Sequence, residues 1–147
     1  PSDRGILSTD LNSDGRYRDL LYVDGGVSTQ TTGRLRMEGK EVFKHAVVNM
    51  AAVVGEVLAK AGFETKDIDW LVPHQANKRI IDATARRMGI SDEKVLMNIQ
   101  RYGNTTAATI PLCIWDYQDR MKKGDNIVLA AFGGGFTWGA TWVKWFI

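Results

Sequence analysis

The 147 residues are 44% hydrophobic and 24% charged, which is typical of one globular domain that can bury a core. The formal net charge of +2 argues against bulk nucleic-acid binding. No run of about 18 apolar residues occurs, so no membrane-spanning helix is predicted. One cysteine excludes an intrachain disulfide and favours a cytoplasmic location.

Hydrophobic periodicity and turn residues predict elements in the order β-β-α-β-α-β-α-β-β. The predicted helices are residues 38–61, 77–88 and 107–122. The predicted strands are residues 5–11, 17–23, 68–72, 95–99, 127–132 and 136–146, with a loop at 27–36. Helices that cross between strands favour a mostly parallel sheet, whereas the last two strands, joined by a short glycine turn, are antiparallel. The last strand is predicted to present one face made of Phe136, Trp138, Ala140, Trp142 and Phe146.

Three polar loops are predicted to meet at one edge of this sheet, at residues 74–77, 103–106 and 132–136. His74 follows a buried strand that Pro73 terminates. A neutral imidazole and the amide of Asn104 could both donate to one carbonyl oxygen and stabilise an enolate. The glycines at 133–135 could supply a second oxyanion site. The alternatives are a structural histidine, a polar turn and a plain hairpin turn.

Several other kinds of site are excluded by spacing. The glycine run ends in Trp138 and leads into a strand, so it is no dinucleotide-binding fingerprint. His45, His74 and Cys113 lack metal-ligand spacing, so no metal site is predicted. His45 lies within a helix pattern and is interpreted as structural. Cys113 lies in an apolar run, which favours a buried small hydrophobe over a nucleophile.

Three motifs resemble the C-terminal half of β-ketoacyl-acyl-carrier-protein synthase III, a thiolase-fold condensing enzyme. They are PHQAN at 73–77, YGNTTAA at 102–108 and FGGGFTWG at 132–139. The resemblance implies an α/β, thiolase-like half with a mixed, mostly parallel five-stranded sheet and helices packed on it. Residues 1–24 would be the last strand or strands of an N-terminal half and a connection, and residues 25–147 the C-terminal half-domain.

The resemblance also implies a reaction. An acyl group passes from acyl-CoA to a cysteine and is condensed with malonyl-acyl carrier protein, with loss of CO2, to start fatty-acid synthesis. His74 and Asn104 would be catalytic, and Gly134 would provide the second oxyanion hole. Four residues would line the substrate channel: Phe132, Asn77, Ala76 and Gly39. Four would receive the carrier protein: Arg79, Lys44, Arg86 and Arg87. The CoA thioester is a substrate, and no further cofactor is implied.

The nucleophilic cysteine of this family belongs to its N-terminal half, and Cys113 does not match it. We therefore expect this chain to be a fragment that is inactive alone. Its expected partners are the missing N-terminal half and, in the full enzyme, a second copy of the protein. Its exposed apolar face is expected to promote self-association. Two alternatives remain open. One is a related acyl-transferring enzyme of secondary metabolism, and the other is a non-catalytic half-domain that binds CoA or a carrier protein.

Overall fold

The computed structural model describes residues 3–147, so the first two residues of the predicted segment 1–24 lie outside it. The helices are α1 (Gly39–Lys60), α2 (Lys78–Met88), α3 (Ile99–Tyr102) and α4 (Thr109–Tyr117). The strands are β1 (Gly5–Ser13), β2 (Leu21–Val23), β3 (Leu35–Met37), β4 (Trp70–Pro73), β5 (Asn126–Gly133) and β6 (Thr137–Lys144). Short 3-10 turns flank α4, so the predicted helix 107–122 is divided into three pieces.

The main sheet is mixed and has the strand order β1-β6-β5-β4. Strand β5 runs parallel to β4 and antiparallel to β6, as predicted for the closing hairpin, and β6 runs antiparallel to β1. The predicted α/β fold with a mixed sheet and packed helices is confirmed. The description of the sheet as mostly parallel is wrong, because one of its three strand pairings is parallel.

The predicted strand at 95–99 is also wrong, and the main sheet has four strands instead of the predicted five. Val95 forms a single parallel bridge with Leu71, and the chain then turns into α3. A side chain takes the place of the missing ladder, because the backbone N–H of Asn98 donates to Oε1 of Gln75 over 3.0 Å. Leu96 is fully buried and its N–H donates to the carbonyl oxygen of Leu71 over 2.9 Å, so this apolar segment still lies beside β4.

The segment before α1 also differs from the prediction. Residues 15–20 form a 3-10 turn, which the Asp14 carboxylate caps by accepting from the N–H of Arg16. Strand β2 is therefore shorter than the predicted strand 17–23. Strand β3 lies in the predicted loop 27–36 and just beyond it, and it pairs antiparallel with β2 in a separate two-stranded ribbon.

Helix α1 lies across the sheet and supplies much of the core. Val53, Val54 and Val57 are fully buried, at the spacing expected for one helix face. Helix α1 is also long and apolar enough to cross a membrane. The core helix of a globular protein meets the same criteria of length and composition. On β6, Ala140 and Trp142 are buried as predicted, but Phe146 lies beyond the strand and is 47% exposed.

Strand β1 is an edge strand of the same sheet. It pairs with β6 from Gly5 opposite Lys144 to Ser13 opposite Thr137. The assignment of residues 1–24 to a preceding half therefore stays a prediction about a longer protein. In this chain, Gly5–Ser13 completes the sheet that carries the candidate site.

Candidate active site

The first site loop begins where β4 ends. The N–H of His74 donates to the carbonyl oxygen of Ala130 over 2.7 Å, so β5 fixes the backbone of the histidine. Asn77 then caps α2, because its side-chain oxygen accepts from the N–H of Arg79 over 2.8 Å. Between them, Gln75 is completely buried and bonds to backbone groups. The loop therefore has a fixed shape.

The His74 ring is half-buried and hydrogen-bonded. Its Nδ1 lies 2.7 Å from the hydroxyl oxygen of Thr109, the first residue of α4. Burial lowers the pKa of His74 below its ordinary value, so the ring is neutral at pH 7. A neutral imidazole has one N–H and one bare nitrogen, and therefore either donates or accepts through the nitrogen that faces the cavity.

The second site loop carries Asn104 and follows α3, not a strand as predicted. Gly103 enters the loop with a φ of 66°, which favours glycine. Oδ1 of Asn104 accepts from the N–H of Thr106 over 2.9 Å. This bond fixes the orientation of the amide and leaves its two N–H donors for another partner.

The third site loop is the glycine turn between β5 and β6. A Cβ atom on Gly134 would lie 2.8 Å from the carbonyl oxygen of Leu21 in β2, so a side chain is excluded there. Next to the turn, the rings of Phe132 and Phe136 pack with their centroids 4.7 Å apart. The two-stranded ribbon thus closes directly over the turn.

All three loops reach one cavity of about 800 Å³. The predicted convergence of the loops is therefore confirmed. Eight of the predicted site residues line this cavity: His74, Asn104, Gly134, Phe132, Asn77, Ala76, Gly39 and Arg79. A second cavity of about 810 Å³, between β6 and the start of α4, is also lined by His74, Asn104 and Phe132. The histidine and the asparagine therefore stand where the two cavities meet.

The four predicted basic residues are not all at the cavity. Arg79 lines it, and its guanidinium carbon lies 5.7 Å from the centroid of the Phe43 ring. Lys44 is exposed and 3.8 Å from Glu41 in the same helix. Arg86 and Arg87 are exposed in the last turn of α2 and do not line the cavity.

Neither His45 nor Cys113 forms a second reactive centre. Cys113 is fully buried, as predicted, and burial together with the Asp116 charge raises the pKa of its thiol to about 12. The ring of His45 packs against Tyr17 with centroids 4.4 Å apart. Within residues 3–147, no three His, Cys, Asp or Glu side chains are grouped so as to hold a metal ion.

Sequence reasoning missed Thr109, which bonds to His74, and the structural role of Gln75. Thr109 is five residues beyond Asn104, and only its position at the start of a helix could have drawn notice. It also missed apolar cavity walls from Met37 and Phe43.

Comparison with known proteins identifies the family of this chain. Residues 58–145 match the family model described as 3-oxoacyl-[acyl-carrier-protein (ACP)] synthase III C terminal. The chain belongs to this family. It is 56% identical over 147 residues to the beta-ketoacyl-[acyl-carrier-protein] synthase III of Ruegeria pomeroyi. It is 58% identical over 147 residues to the synthase III of Rhodospirillum centenum.

The chain also has the thiolase-like fold of solved relatives. It superposes on the crystal structure of the Pseudomonas aeruginosa enzyme with a TM-score of 0.92, 38% identity and full coverage of its own length. The matches to the two curated relatives cover 99% and 98% of this chain but only 46% of each relative. The match to the P. aeruginosa structure covers 47% of that chain. This chain therefore corresponds to the C-terminal half of those proteins.

Proposed function

We propose that this chain is the C-terminal half of an enzyme that condenses an acyl-CoA primer with malonyl-acyl carrier protein, with loss of CO2, to start fatty-acid synthesis in the cytoplasm. The observation that carries the proposal is that His74 and Asn104 line the same cavity, with Nδ1 of His74 and Oδ1 of Asn104 held by hydrogen bonds within the chain. Family membership and the names of the relatives support it.

In the first step, the malonyl thioester oxygen accepts hydrogen bonds from His74 and Asn104. The bond between the malonyl α-carbon and the carboxylate carbon breaks, and CO2 leaves. The electron pair of that bond becomes an enolate, whose negative charge is concentrated on the oxygen between the two donors. Removal of one such donor raises the barrier by about 2.7–4 kcal/mol. Because hydrogen bonds to the charged enolate oxygen are stronger than those to the neutral thioester oxygen, the donors stabilise the transition state more than the bound substrate.

In the second step, the enolate carbon attacks an acyl thioester, a carbon–carbon bond forms and a thiolate leaves. The acylated cysteine must come from another part of the protein, because Cys113 is fully buried and its pKa is raised to about 12. The backbone N–H of Gly134 is proposed to stabilise the tetrahedral oxyanion in this step. The isolated chain is therefore expected to be inactive.

The rest of the cavity is proposed to hold the arm of the thioester. Phe132, Asn77, Ala76 and Gly39 provide a mixed apolar and polar wall suited to a pantetheine chain. Arg79 lies at the cavity, with exposed Lys44, Arg86 and Arg87 on α1 and α2. These charges would attract CoA phosphates and an acidic carrier protein. In the full enzyme we expect the N-terminal half and a second copy of the protein as further partners.

A chimera tests the proposal directly. The segment that precedes the matched region in the R. pomeroyi relative is fused in front of this chain, and formation of 3-oxoacyl carrier protein from acyl-CoA and malonyl carrier protein is measured. Activity is expected from the chimera and not from the chain alone. His74→Ala and Asn104→Ala should each lower kcat by about 10²–10³-fold.

The matched control is His45→Gln, which changes the only other histidine and should leave kcat within about twofold. A folded chimera without condensing activity would refute the proposal, as would full activity in the His74→Ala variant. Turnover by the chain alone, above its His74→Ala variant, would show that no outside cysteine is needed.

A further inference from the structure

The Thr109 hydroxyl stands between the two loops that carry His74 and Asn104. Its oxygen lies 2.7 Å from Nδ1 of His74 and 2.9 Å from the carbonyl oxygen of Thr106. Thr109 is 2% exposed, so water cannot readily replace either partner. A hydroxyl has one proton, and both neighbours could accept it.

Two observations favour donation of that proton to Nδ1 over donation to the carbonyl oxygen of Thr106. The carbonyl oxygen of Thr106 already accepts from the backbone N–H of Thr109, so it does not depend on the hydroxyl. The distance of 2.7 Å to Nδ1 lies at the short limit of the range for an N–H donor, about 2.7–3.2 Å, and in the middle of the range for an O–H donor, about 2.5–3.0 Å. Within residues 3–147, Thr109 is the hydrogen-bond partner of Nδ1.

We propose that Thr109 is a positioning residue whose hydroxyl donates to Nδ1 of His74 and so keeps the ring proton on Nε2, the nitrogen left to face the cavity. The catalytic consequence rests on the proposed function. A neutral ring in this tautomer can donate to a thioester oxygen, whereas a ring protonated on Nδ1 would turn a lone pair towards that oxygen. Thr109 does not line the cavity of about 800 Å³ that is proposed to hold the thioester, and it acts through His74.

The same short segment also orients the second donor. The N–H of Thr106 donates to Oδ1 of Asn104, and its carbonyl oxygen accepts from Thr109. Thr106 adopts a φ of 53°, which is uncommon for a residue with a side chain. Asn104 Oδ1 and His74 Nδ1, the acceptor atoms, are thus both occupied by this segment, which leaves N–H groups of both side chains for the substrate.

Nitrogen-15 NMR of the histidine rings tests the tautomer without any activity. Two-bond proton–nitrogen correlations distinguish a protonated ring nitrogen from a bare one by chemical shift. Since the chain has two histidines, the His45→Gln variant assigns the signals of His74. At pH 7.5 or so, a bare Nδ1 and a protonated Nε2 are expected for His74. A protonated Nδ1 in the unmodified chain would overturn the proposal.

Two variants separate the hydroxyl from the shape of the residue. Thr109→Ser keeps the donor and should keep the tautomer, whereas Thr109→Val is nearly isosteric and should release the ring to the tautomer mixture of a free imidazole, in which a fraction of the protons is on Nδ1. An unchanged tautomer in Thr109→Val would refute the proposal. If that variant does not fold, the spectra of the unmodified chain and of Thr109→Ser still decide, because both must show a bare Nδ1.

Kinetics of the chimera test the consequence. Thr109→Val should lower kcat by about tenfold to 10²-fold, with a smaller change in KM for malonyl carrier protein, and Thr109→Ser should restore most of it. Equal kcat in all three proteins would overturn the positioning role. An inactive unmodified chimera would instead refute the proposed function, while the tautomer would still be decided by NMR.

Discussion

Replacing Gln75 by leucine should destabilise the chain and disturb the loops that carry His74 and Asn104. Gln75 is 0% exposed. Its Nε2 donates to the carbonyl oxygens of Pro73 over 2.7 Å and Leu96 over 3.3 Å, and its Oε1 accepts from the N–H of Asn98 over 3.0 Å. One side chain thus ties the end of β4, which precedes His74, to the segment that leads into α3.

The cost follows from these three bonds. Leucine has a similar volume, so no large cavity forms, but three backbone groups lose a partner in the interior. A buried polar group left unpaired costs about 1–3 kcal/mol, and the bond of 3.3 Å contributes least. Burial of the added apolar surface returns about 1.5–3 kcal/mol. The net loss should be about 2–4 kcal/mol, a large share of the 5–15 kcal/mol that is usual for a domain.

Urea unfolding of the chain, followed by circular dichroism, gives the free energy of unfolding, and calorimetry should show Tm lowered by roughly 5–15 °C. The matched control is Gln100→Leu, because Gln100 is exposed and makes one long bond of 3.4 Å. That variant should stay within about 0.5 kcal/mol of the unmodified chain. Equal stabilities for the two variants would refute the argument that the buried amide links the loops.

Three further predictions concern the site and its surroundings. Gly134→Ala should cost about 1–3 kcal/mol in unfolding free energy, because its Cβ would lie 2.8 Å from the Leu21 carbonyl oxygen. Gly55→Ala in α1 should stabilise the chain instead, because a Cβ added at Gly55 would have no atom within 4 Å. Equal effects of the two substitutions would contradict the close contact at Gly134. Cys113 should react with a thiol reagent at pH 8 only as fast as the chain unfolds, because its pKa is raised to about 12; rapid labelling in native buffer would contradict its burial. Because burial lowers the pKa of His74 below its ordinary value of 6.5, an NMR titration of its ring should have a midpoint below pH 6.5. A midpoint above that value would contradict burial as the cause.

The lowered pKa of His74 also makes the free energy of unfolding depend on pH. Below about pH 6.5 the unfolded chain binds a proton at His74 more strongly than the folded chain does, because the pKa is lower in the folded state. The contribution of His74 to folding stability therefore falls as the pH falls. It is fully present above that value.

The long, strongly periodic elements could be predicted from the sequence. Helix α1 and helix α2 with its cap at Gly89 follow from apolar spacing and glycine punctuation, and they match closely. The site loops could be predicted as well, because Pro73 stops a strand just before His74. The short segments could not. Whether residues near Val95 form a ladder depends on Gln75, which comes from elsewhere in the chain.

The hydrogen bond between Thr109 and His74 could not be predicted either. It joins residues 35 apart in sequence, and its geometry depends on the left-handed φ of Thr106, for which local propensity gives no signal. Strand β3 is similar, since its pairing with β2 comes from tertiary contact rather than from alternation of polar and apolar residues.

The pairing of β1 with β6 places both ends of the fold at one corner. Gly5 and Lys144 are opposite each other, and Lys144 also faces Asn126 at the start of β5. The site lies at the other end of that strand, beyond Gly133, which is roughly 25 Å away for a strand of this length. A segment fused in front of Gly5, as in the chimera, therefore joins the sheet at the end of β1 that is remote from the cavity.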